Sequence, residues 1–161
     1  MALTRSAKIL RYSVGDTHQD TYQPALANAS VYAGSIALTN SAGLAKSSVS
    51  PASTDTCWGL YNGIIDTAPA LDSPIVVGTT NGANTLGIET GTFYLLPGSN
   101  ADALVQADVG ATVYVIDEVT VGKTDGGLTR PVAGKLVGIG KGQYAAFVAV
   151  LLGNNQSTGS P

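Results

Sequence analysis

Residues 92–98 read TFYLLPG, residues 104–127 read LVQADVGATVYVIDEVTVGKTDGG, and residues 131–151 read PVAGKLVGIGKGQYAAFVAVL. This last third of the chain decides the fold. Short runs of Val, Ile, Leu, Phe and Tyr are separated by Gly, Asp and Asn. β-branched and aromatic side chains fit a pleated, half-buried surface, while Gly, Asp and Asn reach the backbone conformations that tight turns need. No segment keeps a helical period for longer than a turn or two. Nor does the stretch hold a nucleophile beside a base, or a cluster of metal ligands. It reads as a small sheet that works by being a surface.

The same punctuation extends upstream. Residues 31–38 are expected to be a strand, closed by the turn Asn40-Ser41-Ala42-Gly43, with a Ser, Thr and Pro loop over 47–56. Residues 57–65, with Trp58, Leu60, Tyr61 and Ile64, are expected to form a central strand. A loop over 66–73 and a strand start at 74–77 follow. Asn81-Gly82 is a strong hairpin signal ahead of a strand over 86–96. One helical turn is expected near 101–104, then strands over 113–116 and 119–121, and a hairpin turn at Asp125-Gly126-Gly127. A final hairpin joins 135–139 to 144–151 across Gly140-Lys141-Gly142. Strands about ten residues apart define an all-β class, a small β-sandwich or barrel with short loops.

At 161 residues the chain is one domain, large enough to bury roughly two-thirds of its unfolded surface. Charged residues make up 12% of it, about half the globular average, and 20 residues are Gly. Few charges with a positive mean hydropathy imply a surface partly covered by partners. Arg5, Lys8 and Arg11 lie in the first eleven residues; the other 150 carry five basic and eleven acidic groups, net −6. An acidic body argues against nucleic-acid binding. Residues 1–24 are polar and are expected to be an extended N-terminal arm, with Tyr12 and Tyr22 as anchors that bury large area at low entropic cost. Residues 25–152 form the β domain, and 153–161 (GNNQSTGSP) read as a flexible C-terminal tail. The first ten residues have no apolar core of signal-peptide length, and the longest apolar run, 144–152, is half a membrane span. No membrane partner is expected.

Four stretches share a resemblance. QADVG (106–110), TVYVIDEVTVGKTDGG (112–127) and AGKLVGI (133–139), with VYAGSIALTNSAGLAK (31–46) upstream, are similar in order and spacing to the small decoration, or cement, proteins of tailed-bacteriophage capsids. Residues 87–93 (GIETGTF) resemble a further strand of that family but lack its basic pair. The resemblance implies a structural virion protein on the capsid's outer surface, made in the bacterial cytoplasm, that bridges neighbouring major capsid protein subunits. It also implies self-association, as a homotrimer in preference to a homodimer. Arg5, Lys8, Arg11, Tyr12 and Tyr22 are the expected partner contacts. The alternative is a carbohydrate- or host-surface-binding module displayed on the virion, which needs exposed aromatics in a groove.

Catalytic readings are weaker. Asp16, His18 and Asp20 alternate and would share one face of a strand, a conceivable two-carboxylate, one-histidine metal site. The segment has no apolar support to orient ligands, so a polar loop is the better reading. Cys57 with His18 could make a nucleophile and base, but Cys57 lies in an apolar run and suits a buried site. Gly122-Lys123-Thr124 ends like a phosphate-binding loop, yet position 117 is Asp where glycine is required. The glycines at 138, 140 and 142 are followed by a strand, not the helix a dinucleotide loop needs. Asp117 and Glu118 are adjacent and would point to opposite faces of a strand. No enzyme activity, cofactor or metal is expected.

Overall fold

The computed structural model describes residues 19–64 and 75–153. It is all-β. The strands in chain order are β1 (Gln19–Pro24), β2 (Ser30–Val31), β3 (Ile36–Thr39), β4 (Ala45–Lys46), β5 (Thr56–Ile64), β6 (Ile75–Val76), β7 (Thr85–Thr90), β8 (Thr92–Pro97), β9 (Thr112–Val115), β10 (Thr120–Gly122), β11 (Val132–Ile139) and β12 (Val148–Leu152). Single 3-10 turns lie at Asn100–Asp102, Gln106–Asp108 and Gly142–Tyr144.

The C-terminal strands close into a five-stranded barrel in the order β10-β8-β12-β11-β9. Closure removes the free edges that short strands would otherwise expose. β8 and β10 run parallel, and the remaining barrel pairs are antiparallel. Phe93, Leu95, Val113, Val115, Val121, Leu136, Val148 and Val150 fill the core of this region.

The N-terminal strands form a five-stranded sheet in the order β1-β7-β5-β3-β4, and β2 pairs with β6 as a short separate ribbon. The sheet curls until its two ends touch. Ala25, just past β1, bridges Ala45 of β4 in parallel, and the Leu26 amide donates to the Ala45 carbonyl at 2.8 Å. Its inner strands β3 and β5 are covered on both faces. Ile36, Leu38, Cys57 and Leu60 join the barrel core, whereas Ala37, Tyr61, Leu86 and Ile88 pack with Val31 and Ile75 of the ribbon. Along β3 the period of two makes this division, since Ala37 lies between Ile36 and Leu38; along β5 a register shift between Cys57 and Gly59 brings Cys57 and Leu60, three residues apart, to the same side, with Tyr61 on the other.

Several expectations need correcting. The strand expected over 86–96 is two strands in different sheets, broken at Gly91, whose φ of 137° lets the chain leave one sheet and enter the other. Asn81-Gly82 forms a turn but no hairpin between β6 and β7, which do not pair, and Asp125-Gly126-Gly127 likewise joins β10 to β11 without a hairpin, because β9 lies between them in the barrel. The turn clamps the start of the domain: the Ala27 amide donates to Asn81 Oδ1 at 2.9 Å and the Gly82 amide to the Ala25 carbonyl at 2.8 Å. The strand expected over 31–38 is likewise split into β2 and β3. Within the expected arm, Gln19–Pro24 is strand β1, paired antiparallel with β7 of the same chain. Residues 1–18, and 154–161 of the expected tail, lie outside the described residues.

Gly134 shows where residue identity is dictated by close approach. Its φ is 156°, and a Cβ there would lie 1.9 Å from the Leu151 carbonyl oxygen of the paired strand. On the same strand, a Cβ at Gly138 would meet its nearest neighbour, Ala149 Cβ, at 4.0 Å. Gly134→Ala is therefore expected to lower unfolding free energy by roughly 2–4 kcal/mol, and Gly138→Ala to stay within about 0.5 kcal/mol of the parent. Urea denaturation of both variants checks this, and equal losses would show that strand approach is not the cause.

Candidate functional site

Two loops leave one side of the barrel together. One runs from β8 to β9 and carries the turns Asn100–Asp102 and Gln106–Asp108; the other runs from β10 to β11 through Asp125-Gly126-Gly127. Asp102 ties them. Its Oδ1 accepts the Thr124 amide at 3.0 Å and the Thr124 hydroxyl at 2.6 Å, and Arg130 Nη1 donates to both carboxylate oxygens at 2.9 Å. Gly122 makes room for this carboxylate, since a Cβ at that position would lie 2.8 Å from Asp102 Oδ1. Asp108 is a second tie. It pairs with Lys123 Nζ at 2.7 Å and accepts the Val105 amide at 3.0 Å. The first loop is also sewn to β11, with the Gly110 amide donating to the Leu136 carbonyl at 2.7 Å and the Leu136 amide to Ala111 at 3.0 Å.

These ties hold apolar side chains in water. Val105, Val109 and Val137 are exposed, and Leu128 is 78% exposed. Leu128 follows Gly126 and Gly127, and the three residues have φ of 64°, 74° and 69°. Left-handed backbone suits glycine. For a leucine it costs roughly 1–2 kcal/mol, so the conformation persists only where the surroundings impose it. Here the Gly127 amide donates to Asp125 Oδ1 at 3.0 Å, the Thr129 and Arg130 amides to the Asp125 carbonyl at 3.1 and 3.0 Å, and the Thr129 hydroxyl to the Gly126 carbonyl at 2.8 Å. The arrangement can bind by contact; its carboxylates are taken up in holding the loops.

Of the residues expected to contact partners, Tyr22 lies on β1, 52% exposed and opposite Gly87 of β7. It belongs to the curled sheet and not to the loop face. Arg5, Lys8, Arg11 and Tyr12 fall outside the described residues, as do Asp16 and His18 of the conceivable metal set. Asp20, the third member, accepts a hydrogen bond from Asn62 Nδ2 at 3.1 Å. Among the described residues no group of three or more His, Cys, Asp or Glu side chains is placed to hold a metal, and no helix is long and apolar enough to cross a membrane. Asp117 turns back to accept the Val119 and Thr120 amides at 3.0 Å, while Glu118 is buried. Trp58 is half-buried, its indole N–H donating to Thr39 Oγ1 at 2.9 Å, and Tyr94 stacks on Tyr144 with ring centres 4.5 Å apart. Reading the sequence missed Leu128. The signal was there: a large apolar residue directly after two glycines in an otherwise polar loop.

No family model, no curated protein and no solved structure matches this chain at significance.

Cys57 is fully buried in the core shared by barrel and sheet, and burial pushes its thiol up to about 12 against backbone hydrogen bonds to Gly153 and Gly59 that pull the other way. A thiol so rarely ionised is inert. Native protein is expected to react with a thiol reagent only as fast as it unfolds, and denatured protein within the mixing time; rapid native labelling would refute the burial.

Burial raises the Asp102 carboxyl, but the Thr124 and Arg130 hydrogen bonds and the Arg130 charge outweigh it and hold it below its ordinary 3.8. Asp108 is held low too, chiefly by the hydrogen bond from Lys123 and that from the Val105 amide. Both groups lie lower when folded than unfolded. Their stabilisation is complete above about pH 4 and vanishes as pH falls through the folded values. Asp102→Asn is expected to be less stable than the parent at pH 7 and to lose less on acidification to pH ~2.5. Melting curves across that range test it, and parallel losses would remove Asp102 from the account.

Proposed function

We propose that this chain is a decoration subunit of a tailed-phage capsid, seated on the outer surface of the shell and bridging neighbouring major capsid protein subunits. The observation that carries the reading is the loop face. Two loops locked by ion pairs hold Val105, Val109 and Leu128 in solvent, on a chain with only 12% charged residues. The segments that resemble the decoration family supply this face: QADVG contains the Gln106–Asp108 turn, and the stretch 112–127 leads into the Leu128 loop. Tyr22, exposed on β1, is open to a second contact.

The mechanism is mass action. A protein that binds the intact lattice better than the ruptured one shifts the equilibrium toward the intact lattice, by the difference in its affinity for the two. Each site contributes a few kcal/mol at most, yet repetition over many sites and multivalent attachment make the sum large. The host-surface alternative needs a groove of exposed aromatics. Among the described residues Tyr22 is the exposed large aromatic, with Tyr32, Trp58, Tyr94, Tyr114, Tyr144 and Phe147 partly covered.

Shells stripped of this protein are expected to remain assembled but to release DNA at lower temperature or ionic strength. Adding the purified protein should restore the parent curve in a saturable way. If stripped and re-decorated shells melt together at saturation, cementing is not the function.

A further inference from the structure

Asparagine is a thermolabile residue, most of all before glycine, where no Cβ keeps the next backbone nitrogen from the side chain. The chain has this pair twice, at Asn62-Gly63 and Asn81-Gly82. The reaction at the second pair is intramolecular. The Gly82 nitrogen gives up its proton and attacks Asn81 Cγ. The new N–Cγ bond closes a cyclic imide, the Cγ–Nδ2 bond breaks, and ammonia leaves. Water then opens the imide at one carbonyl or the other, giving aspartate or isoaspartate.

The fold ties both reacting groups. The Gly82 amide donates to the Ala25 carbonyl at 2.8 Å, and Asn81 Oδ1 accepts the Ala27 amide at 2.9 Å. A nitrogen donating its proton to Ala25 is no nucleophile, and a carboxamide held by Ala27 is not free to swing toward it. Both residues are exposed, so water reaches them as soon as these bonds open. The same loop grips residues 25–28 further. The Ala25 amide donates to the Asn84 carbonyl and the Asn28 amide to the Gly78 carbonyl, each at 2.9 Å, while Asn84 Oδ1 accepts the Gly78 amide at 2.7 Å. Here, too, Ala25 bridges Ala45 and the ends of the curled sheet touch. Aspartate at position 81 keeps an oxygen for the Ala27 amide. Isoaspartate routes the main chain through the side-chain carbon, which adds a methylene before Gly82 and carries its amide off Ala25.

We infer that Asn81 is a site of spontaneous modification, held in check by the clamp on residues 25–27, and that its isoaspartate product leaves the clamp unable to close. Opening permits the chemistry, and the chemistry makes the opening permanent. Asn62 is placed differently. Gly63 pairs with Gly87 inside the β5–β7 ladder and Asn62 Nδ2 donates to Asp20, so this pair reacts only when the sheet comes apart. The inference rests on these contacts and is independent of the shell reading.

The test ages the full-length protein in warm, mildly alkaline buffer and follows each asparagine by peptide mapping, with isoaspartate told from aspartate by fragmentation. A synthetic peptide of residues 77–86 gives the unclamped rate. Asn81 in the parent is expected to convert at least ~10-fold more slowly than in the peptide, the factor set by a modest opening free energy, and well before Asn62. Ala27→Pro removes the donor to Asn81 and leaves the dipeptide untouched. Proline fits there: the Ala29 amide donates to the Leu26 carbonyl at 3.1 Å and Asn28 has a φ of 58°, a type II turn with Ala27 at the position proline favours. This variant is expected to convert several-fold faster than the parent. A parent that converts at the peptide rate overturns the inference, and so does an Ala27→Pro variant that ages no faster. Conversion of Asn62 and Asn81 together would trace the chemistry to global unfolding and remove the clamp from the account. Hydrogen exchange reads the product. The isoaspartate form, separated by ion exchange, should exchange faster than the parent over residues 20–28, and Asn81→Asp should exchange like the parent. An isoaspartate form as protected as the parent overturns the release.

Discussion

Strands β3 and β5 bury both of their faces, and the molecule is arranged around that constraint. Ile36, Leu38, Cys57 and Leu60 point into the core shared with the barrel; Ala37 and Tyr61 point the other way, under the β2–β6 ribbon. Each large apolar side chain buried here contributes roughly 1.5–3 kcal/mol. Two faces covered at once hold three sheets as one body. Burial of both faces also leaves carbonyls that water cannot reach, and side chains answer for them. The Tyr61 hydroxyl donates to Leu38 and Lys46 carbonyls at 3.0 and 2.8 Å, and the Ser48 hydroxyl donates to Ile36 at 2.8 Å. Without them each buried group would cost about 1–3 kcal/mol. Lys46 continues the chain of constraints, donating to the buried Asp55 at 2.9 Å and so fixing the loop over 47–55 against the sheet.

With the body fixed, the loops can be fixed to it. Exposed ion pairs are usually worth little. The Asp102 network is different in kind, because one carboxylate gathers an amide, a hydroxyl and a guanidinium from a loop more than twenty residues away. Its main effect is positional. It sets the β10–β11 loop on the β8–β9 loop, and Lys123 repeats the tie at Asp108. The outcome is a surface with low charge, little freedom and protruding apolar groups.

The all-β class was legible from residues 92–151 because strand and turn residues alternate there at short intervals, and the barrel strands fall close to where that pattern puts them. The burial of Cys57 was legible from its apolar neighbours. Alternation along a regular strand is a local property, so sequence alone determined that Ile36 and Leu38 face away from Ala37; the bulge that brings Cys57 and Leu60 to one side did not follow from it. Partners are not local. Whether Leu86 and Leu95 share a sheet depends on one backbone angle at Gly91, and whether Asn81-Gly82 closes a hairpin or clamps Ala25 and Ala27 depends on a segment more than fifty residues away. Only the tertiary structure decided those points, and only it brought Asp102 to Arg130 and left Leu128 strained in solvent. A turn signal such as Asp-Gly-Gly says where the chain bends; what the bend displays follows from the long-range bonds that hold its base.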